Sequence, residues 1–430
     1  MLLLQIVALS FISITTYGQL QDTTVKIIVN ADHPDWVYKT GQEVTFSIEG
    51  FKGSAHLSGT KIHYEIGPEK MDPQISGDTV FSDAPIRIKG GTMITPGFLR
   101  CTVTAGVDGK KYSGLATAGF DPLKIQATAK APAGFMEFWN KAKAEAAKVP
   151  MDAQVTLIKE KCTDKINVYL VNIQNYQLRT RLYGILCVPK KAGTFPAVLE
   201  VPGAGVRAYS ANIAIAERDV ISLQIGIHGI PVNMNGPVYD NLAQGALRGY
   251  QTFNLDDKDN YYYKRVYLGC IRAVDFIFSL PKFDGKNIAV SGGSQGGALA
   301  IVTAALDNRI KCLASFYPAL SDLTGYFSNR ASGWPNMFNK KNPVNIKPDK
   351  IETASYYDVV NFARFIKVPG FYSWGFNDLT CPPTSTYSSY NVITAPKQLF
   401  IAKENGHISN AEQRDKKNEW MLSILFSKNK

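Results

Sequence analysis

The sequence is poor in histidine and cysteine, and this scarcity limits the chemistry that it can support. Its 430 residues include five histidines and six cysteines. No two cysteines form the closely spaced pair that zinc sites of the finger type need, so we predict no metal site and assign no disulfide. The cysteines are scattered along the chain, at Cys101, Cys162, Cys187, Cys270, Cys312 and Cys381.

Long apolar runs are missing except at the N-terminus. The opening stretch, MLLLQIVALSFISITTYGQL, is apolar over about fifteen residues, fewer than the ~20 that a membrane-spanning helix needs. Thr16 and Gly18 fit the small-residue pattern of a cleavage site, with Gln19 as the new N-terminus, although a positively charged start is missing. We predict a signal peptide over residues 1–18, no membrane span, and a secreted or periplasmic protein.

The chain also lacks a block of like charge. Its formal net charge is +11, from 47 basic and 36 acidic residues, but the lysines are spread along the chain. Surfaces that bind nucleic acid usually concentrate positive charge and carry a recognition motif. Because neither feature occurs here, we predict no nucleic-acid partner.

Two patterns divide the remaining sequence. Residues 19–122 hold short runs with alternating or β-branched residues, separated by turn signals such as VDGKKYSG and GPEKMDPQISGD. This spacing predicts an immunoglobulin-like β-sandwich. The predicted strands are TTVKIIVN, EVTFSIEG, TKIHYEIG, IRIKGG and FLRCTVTAG.

Residues 123–430 alternate strands with helices, which predicts a doubly wound α/β sheet. The first helix lies within APAGFMEFWNKAKAEAAKVP, and a longer amphipathic helix within YYYKRVYLGCIRAVDFIFSLP. KINVYLVNIQ and RLYGILCVP predict a hairpin. The other predicted strands are FPAVLEVPGAG, DVISLQIG, KNIAVSGGS, KCLASFYPAL, VPGFYSWG and APKQLFIAKENGH.

One serine sits between two glycine pairs at the passage from a strand to a helix. Gly292 to Gly296 match the G-x-S-x-G nucleophile elbow, in which a sharp turn raises the serine hydroxyl above the edge of an α/β-hydrolase sheet. Ser294 is therefore the candidate nucleophile. The alternatives are a turn that only connects two elements, or one that cradles a phosphate.

Only one histidine follows this serine, and it supplies the candidate base. A serine hydroxyl needs a base to become a nucleophile, and in this fold the triad runs in the order Ser, Asp or Glu, His. His407, in the loop KENGHIS, meets that order; a surface histidine is the alternative. The other histidines precede the serine: His33, His56, His63 and His228.

The acid must lie between the serine and the histidine. Asp378 comes shortly after the predicted strand VPGFYSWG, where the carboxyl ends of neighbouring strands meet. We predict that it orients the imidazole, with Asp322 as the second candidate. The remaining carboxylates of this interval are Asp307, Asp349, Glu352, Asp358 and Glu404.

An oxyanion hole should accompany such a nucleophile. One donor is expected from the backbone N–H of Gln295, next to the serine, and the second from a loop after an earlier strand. Pro202-Gly203-Ala204-Gly205 ends such a strand, and we predict the N–H of Ala204 as the second donor. An ordinary strand-ending turn is the alternative.

At this point the chain resembles the acetyl xylan esterase and cephalosporin C deacetylase family. The similarity covers roughly residues 130 to 425 and rests on YYYKRVYLGCIRAVDF, GGSQGG, SYYDVVNFA, FNDLTCPPTSTYSSYN and FMEFWNKAKAEAAKVP. It implies that Ser294, Asp378 and His407 form the triad. It also implies an acetylated sugar substrate. Many compact members of the family assemble as ring-like hexamers, so the resemblance also implies a homo-oligomer. The N-terminal β domain is an addition to those members and departs from the chain that builds such a ring.

Three stretches depart from the family pattern. Pro202-Gly203-Ala204 stands where the family has His-Gly-Tyr, Ile227-His228-Gly229 where it has Arg-Gly-Gln, and His407-Ile408 where it has His-Glu. His228 is accordingly a candidate for the substrate pocket or a structural histidine. The long connections 231–260 and 322–350 predict lids. The 322–350 connection holds Tyr326 and Trp334. We expect its aromatic residues either to stack on sugar rings of the substrate or to pack beneath the lid.

The function predicted from these residues is a secreted serine esterase that removes acetyl groups from xylan or xylo-oligosaccharides without a cofactor. Two alternatives stay open. An exported oligopeptidase would use the same triad, although the region before it is too short for a propeller. A carbohydrate-binding protein with an inert hydrolase domain would need no triad at all.

Overall fold

The computed structural model describes residues 24–427 of the chain. Within this range an all-β region comes first and an α/β-hydrolase fold follows. The predicted signal peptide and its cleavage site lie outside the described residues. The predicted domain boundary at 122/123 stays a prediction; it falls in a short 3₁₀ helix, Pro122–Lys124, between the last strand of the all-β region and the first α-helix.

The all-β region consists of two sheets. One has β3 at its centre with β1, β4 and β7 paired to it, and the other runs in the order β2-β9-β8-β5-β6. Alternation along β3 buries Val44, Phe46 and Ile48, as expected for a strand with one face toward a core. The strands are β1 (Val25–Ala31), β2 (Val37–Tyr38), β3 (Val44–Lys52), β4 (Ala55–His56), β5 (Lys61–Pro68), β6 (Ile75–Val80), β7 (Ile86–Gly91), β8 (Gly97–Val107) and β9 (Lys110–Phe120).

Five of these nine strands were predicted; β2, β4, β6 and β9 were not. β6 and the start of β9 lie in segments that we predicted as turns. β6 is a polar edge strand, so it lacks the apolar alternation that indicates a strand. β9 is rich in glycine and alanine because the other sheet comes close: a Cβ at Gly114 would stand 2.3 Å from the carbonyl oxygen of Ile27.

The second part of the chain is built on one mixed sheet. Its strand order is β10-β11-β12-β14-β13-β15-β16-β17-β18, and the run from β14 to β18 is parallel. The strands are β10 (Gln154–Leu157), β11 (Ile166–Gln174), β12 (Arg181–Pro189), β13 (Phe195–Glu200), β14 (Ile221–Ile225), β15 (Phe283–Gly293), β16 (Ile310–Phe316), β17 (Gly370–Trp374) and β18 (Lys397–Ile401).

Helices connect the parallel strands. Trp139 of α1 is fully buried, and its indole N–H donates to the carbonyl of Tyr356 at 3.0 Å, which ties the first helix to the core. The helices are α1 (Phe135–Ala147), α2 (Ile213–Ala216), α3 (Gly236–Gln244), α4 (Tyr262–Phe278), α5 (Gln295–Leu306), α6 (Pro348–Ser355), α7 (Val359–Ala363), α8 (Pro383–Asn391) and α9 (Ala411–Leu425).

The chain order of the strands reverses at β13. The chain runs from β13 to β14 on one side and then to β15 on the other. Ligand sites of open α/β sheets form beyond the carboxyl ends of the strands at such a switch point. The loop after β13 and the turn after β15 therefore face the same crevice, and these segments hold Ala204 and Ser294.

Candidate active site

Ser294 forms the sharp turn between β15 and α5. Its backbone has φ 59° and ψ −124°, a conformation that residues with a side chain rarely adopt. Hydrogen bonds to neighbouring strand ends hold it there: its N–H donates to the Phe316 carbonyl and its own carbonyl accepts from the Ala319 N–H, both at 3.0 Å. The hydroxyl is partly exposed at the carboxyl edge of the sheet, as the elbow motif predicts.

The structure brings the three predicted triad side chains together. Nε2 of His407 lies 2.9 Å from Oγ of Ser294, and Nδ1 lies 2.8 Å from Oδ2 of Asp378. Because the carboxylate can only accept, Nδ1 carries the proton and Nε2 is left to accept from the serine hydroxyl. The imidazole also packs against the ring of Tyr317, with 4.7 Å between the ring centroids.

Asp378 is fully buried in the loop after β17, and its carboxylate is satisfied on both oxygens. Oδ1 accepts from the backbone N–H groups of Thr380 and Cys381, at 2.7 and 2.9 Å, while Oδ2 faces His407. These donors fix the orientation of the carboxylate behind the imidazole.

Cys381, in the same loop, lies beside Ser294. Burial, together with the negative charge of Asp378, raises the pKa of the Cys381 thiol well above its usual value. The thiol is therefore neutral and unreactive at ordinary pH, because the thiolate is the nucleophilic form.

Asp322, the second candidate for the acid, lies elsewhere and has other partners. Its Oδ1 accepts from the N–H and hydroxyl of Thr128 and from the N–H of Ala129, at 2.6–2.8 Å. Its Oδ2 accepts from Arg330 and from the Ser388 hydroxyl. The carboxylate thus fastens the start of the 322–350 connection to the rest of the hydrolase fold.

The two residues predicted for the oxyanion hole are linked by a hydrogen-bond network around the Gln295 side chain. Gln295 is fully buried; its Oε1 accepts from the hydroxyls of Tyr250 and Tyr263, both at 2.8 Å. Its Nε2 donates to the Pro202 carbonyl at 3.3 Å, and the Tyr250 oxygen accepts from the Gly205 N–H at 3.4 Å. The network ties the loop that carries Ala204 to the start of α5.

Tyr250 and Tyr263 were missed as site residues by the sequence analysis. Tyr250 lies in the predicted lid 231–260, and Tyr263 lies in the first turn of α4. The triple tyrosine of YYYKR was a visible signal. Which of the three tyrosine hydroxyls reaches Gln295 depends on which face of α4 turns toward it. Only the folded chain shows that face.

His228 supports the same loop from behind. Nε2 donates to the Gly205 carbonyl at 3.1 Å, which leaves Nδ1 to accept from the Tyr262 hydroxyl at 2.7 Å. The ring is only 7% exposed, and burial lowers the pKa of His228 to about 4. Both nitrogens are satisfied by the protein, a geometry that favours the structural histidine over a side chain that contacts substrate.

Tyr326 and Trp334 lie in the 322–350 connection and are both partly buried. The backbone carbonyl of Trp334 accepts from the Leu320 N–H at 2.8 Å. Because the preceding residue, Ala319, donates its N–H to the Ser294 carbonyl, this contact brings the connection close to the nucleophile. Burial raises the pKa of Tyr326, with a contribution from the negative charge of Glu69. Glu69 of the all-β region therefore lies close to this connection.

Two absences hold for residues 24–427. This part of the chain contains no helix with the length and hydrophobicity to cross a bilayer. It also contains no group of three or more histidine, cysteine or acidic side chains arranged to hold a metal ion.

The elbow, the switch point and the strand order define an α/β hydrolase, and comparison with known proteins gives the family. A family model described as acetyl xylan esterase (AXE1) matches residues 121–424. The chain belongs to this family and is a carboxylic ester hydrolase.

A curated relative covers the all-β region as well. The acetyl esterase Axe7A of Xylanibacter ruminicola is 40% identical over 399 residues, which make up 91% of this chain and 88% of the relative. Since less than a tenth of the chain lies outside the match, most of the all-β region falls within it.

Two solved structures resemble the hydrolase part. An acetyl xylan esterase from Paenibacillus sp. R4 is 29% identical with a TM-score of 0.62, over 70% of this chain and 98% of that one. Acetyl xylan esterase 1 from Thermoanaerobacterium sp. JW/SL YS485 has the same TM-score at 23% identity, over 71% and 98%. The latter shows the fold alone. Both leave about 30% of this chain unmatched, an extent close to that of the all-β region and the residues before it.

Proposed function

We propose that this chain is an exported serine esterase that removes acetyl groups from acetylated xylan or xylo-oligosaccharides through an acyl-enzyme. The observation that carries the proposal is the pair of distances at His407, 2.9 Å to Oγ of Ser294 and 2.8 Å to Oδ2 of Asp378. A base within hydrogen-bond reach of a nucleophile, and itself oriented by a third group, is the arrangement that nucleophilic catalysis needs.

The first half of the reaction transfers the acetyl group to the enzyme. Oγ of Ser294 attacks the ester carbonyl carbon while its proton passes to Nε2 of His407. The carbonyl oxygen becomes an oxyanion that accepts hydrogen bonds from the backbone N–H groups of Gln295 and Ala204. His407 then gives the proton to the sugar oxygen as the carbon–oxygen bond breaks. The sugar leaves with a free hydroxyl.

The second half returns the serine. Water loses a proton to Nε2 of His407 and attacks the acetyl carbon, and the proton passes back to Oγ as acetate departs. The buried Asp378 carboxylate favours the imidazolium that forms twice per cycle. No cofactor enters these steps.

The substrate class rests on the family resemblance and on the names of the relatives, which are an acetyl esterase and an acetyl xylan esterase. Acetate release should therefore be measured with acetylated xylan, acetylated xylo-oligosaccharides and acetylated monosaccharides, beside longer acyl esters and feruloyl esters. We expect the acetylated xylo-oligosaccharides to give the highest kcat/KM. A preference for long acyl chains or for feruloyl esters would contradict the substrate.

Ser294→Ala tests the mechanism and separates the alternatives. We expect loss of acetate release and loss of the acetylated Ser294 peptide that rapid acid quenching traps in the wild-type protein. Cleavage of a peptidyl anilide without cleavage of p-nitrophenyl acetate would instead indicate a peptidase. Binding of xylan without turnover in the wild-type protein would indicate a binding protein.

Export is proposed from the apolar N-terminal run alone. Expression of the full chain in a host with a general secretion pathway should deliver protein that begins at Gln19, as N-terminal sequencing would show. Retention of Met1 in a cytoplasmic product would contradict export.

Size-exclusion chromatography with light scattering tests the homo-oligomer that the resemblance implies.

A further inference from the structure

An ion pair inside the all-β region has no part in the reaction as described. Arg100 of β8 and Glu69, just after β5, are 7% and 2% exposed, and Nη2 of the arginine lies 3.2 Å from Oε2 of the glutamate. A buried ion pair stabilises a fold only when further hydrogen bonds offset its desolvation. The partners of this pair therefore indicate why both charges are present.

Those partners lie in the hydrolase fold, on the loop that carries Asp378. Nη2 of Arg100 is shared with the backbone carbonyls of Phe376, at 3.3 Å, and Asp378, at 3.2 Å. Oε1 of Glu69 accepts from the N–H of Thr384 at 2.7 Å, in the first turn of α8. One ion pair thus holds both ends of the acid loop, residues 376–384.

A neighbouring chain of hydrogen bonds extends this support to the base. Nε of Arg100 donates to the Thr117 hydroxyl at 2.8 Å, which in turn donates to the Asn377 side chain at 3.1 Å. Nδ2 of Asn377 donates to the Glu404 carbonyl at 3.2 Å, three residues before His407. The loops of the acid and the base are thereby connected to the same strand pair of the sandwich.

We propose that Glu69 and Arg100 of the sandwich are positioning residues that hold the Asp378 loop in register with His407. The proposal rests on the proposed function, since it assigns them to the triad described above. Arg100 bonds Thr117 through Nε while its Nη2 serves two carbonyls and a carboxylate, and the three N–H donors of a lysine ammonium cannot reproduce all four contacts in this planar arrangement. Misplacement of a reacting group by about 1 Å can cost about 100-fold in rate.

The first test compares Arg100→Lys, which keeps the charge, with the double variant Glu69→Gln/Arg100→Met, which leaves no unpaired buried charge. We expect kcat for p-nitrophenyl acetate to fall about 10- to 100-fold in the double variant and less in Arg100→Lys. KM should stay within about twofold, because neither residue touches the ester. Unchanged kcat in folded Glu69→Gln/Arg100→Met would overturn the proposal.

The matched control is Arg272→Met. Arg272 of α4 is also 7% exposed and donates to the backbone carbonyls of Gln174 and Val149, away from the acid loop. We expect this variant to lower Tm while kcat below Tm stays near the wild-type value. An equal loss of kcat in Arg272→Met and in the Arg100 variants would reduce Arg100 to a general structural role.

A double-mutant cycle separates positioning from stability. In an Asp378→Asn background the support of the loop has no correct acid to position, so Glu69→Gln/Arg100→Met should lower kcat by less than about twofold there, against the fall of about 10- to 100-fold in the wild-type background. Full additivity would contradict the proposal. The proposed function fails separately: if Ser294→Ala keeps wild-type activity, the triad is wrong, whereas loss of activity in Ser294→Ala with no effect at Arg100 rejects only the positioning role.

Discussion

Gly296, at the start of α5, stands directly against the carbonyl of Val201 at the end of β13. A Cβ built at Gly296 would lie 2.3 Å from that oxygen, a distance that no real contact reaches. The same carbonyl lies 2.7 Å from a Cβ at Gly292, which would also meet the backbone of Gly296 at 2.5 Å. The two outer glycines of the elbow therefore let β15, α5 and residues 201–205, here called the oxyanion loop after the predicted role of Ala204, come together without side chains between them.

The change Gly296→Ala should damage both stability and activity. Overpacking of a tight core usually costs about 1–3 kcal/mol, and here the atom in the way is backbone that carries the oxyanion loop. We expect a lower midpoint in urea unfolding and a fall in kcat larger than any change in KM. Gly106→Ala is the control, because nothing lies within 4 Å of its Cβ and its φ is ordinary. Equal, wild-type-like behaviour of both variants would show that the elbow has room.

Asp378→Asn and Asp322→Asn should differ in kind. The first replaces the acceptor at Nδ1 of His407 and should lower kcat by about 10⁴-fold with the fold intact. The second replaces the buried carboxylate that pairs with Arg330 by a neutral amide. The loss of this ion pair should lower the free energy of unfolding by about 3 kcal/mol or more, with little change in kcat. Initial rates at saturating substrate give kcat, and urea titrations give the free energy of unfolding. A larger loss of kcat at Asp322 would reverse the assignment of the acid.

The triad could be predicted from the sequence because chain order and scarcity restricted the choice. Only His407 follows Ser294. The carboxyl ends of successive parallel strands meet at one edge, which favoured Asp378 and left Asp322 as the second candidate; the family resemblance then implied Asp378. Most strands of the hydrolase fold could be predicted because buried parallel strands are continuous apolar runs, and α1, α4 and α5 were predicted as well. The exposed edge strand β10 and the helix α9 were not predicted.

Contacts between distant segments could not be predicted in this way. β9 has few large apolar residues because it packs closely on β1, and no local pattern reports that distance. The hydroxyls of Tyr250 and Tyr263 meet at Gln295 only when the 231–260 connection and α4 pack against the start of α5. Arg100 looks like a surface residue of a strand in the sequence, and its partners at Phe376 and Asp378 are more than 270 residues away.

Tyr250→Phe and Tyr263→Phe form a matched pair. Each change removes one hydroxyl from Oε1 of Gln295, at a cost of about 1 kcal/mol of stability. Only Tyr250 also accepts from the Gly205 N–H in the oxyanion loop, so we expect kcat to fall about fivefold in Tyr250→Phe and less than twofold in Tyr263→Phe. Equal kcat values in the two variants would mean that the Tyr250 hydroxyl does not steady that loop.

Stability should fall in acid through His228. Burial lowers the pKa of His228 to about 4 in the folded chain, whereas an unfolded histidine titrates near 6.5. Between these values the unfolded state binds the proton and the folded state does not, so the contribution of this group is full above pH ~6.5 and is lost as the pH falls toward ~4.

The variant His228→Gln should remove this part of the pH dependence. We expect the wild-type protein to lose about 3 kcal/mol more than the variant between pH 7 and pH 4, measured as the free energy of unfolding in urea. At pH 7 the variant should be the less stable of the two, because glutamine replaces the contacts to Gly205 and Tyr262 imperfectly. Parallel pH profiles would contradict this, because they would mean that the ring has the same pKa in the folded and the unfolded chain.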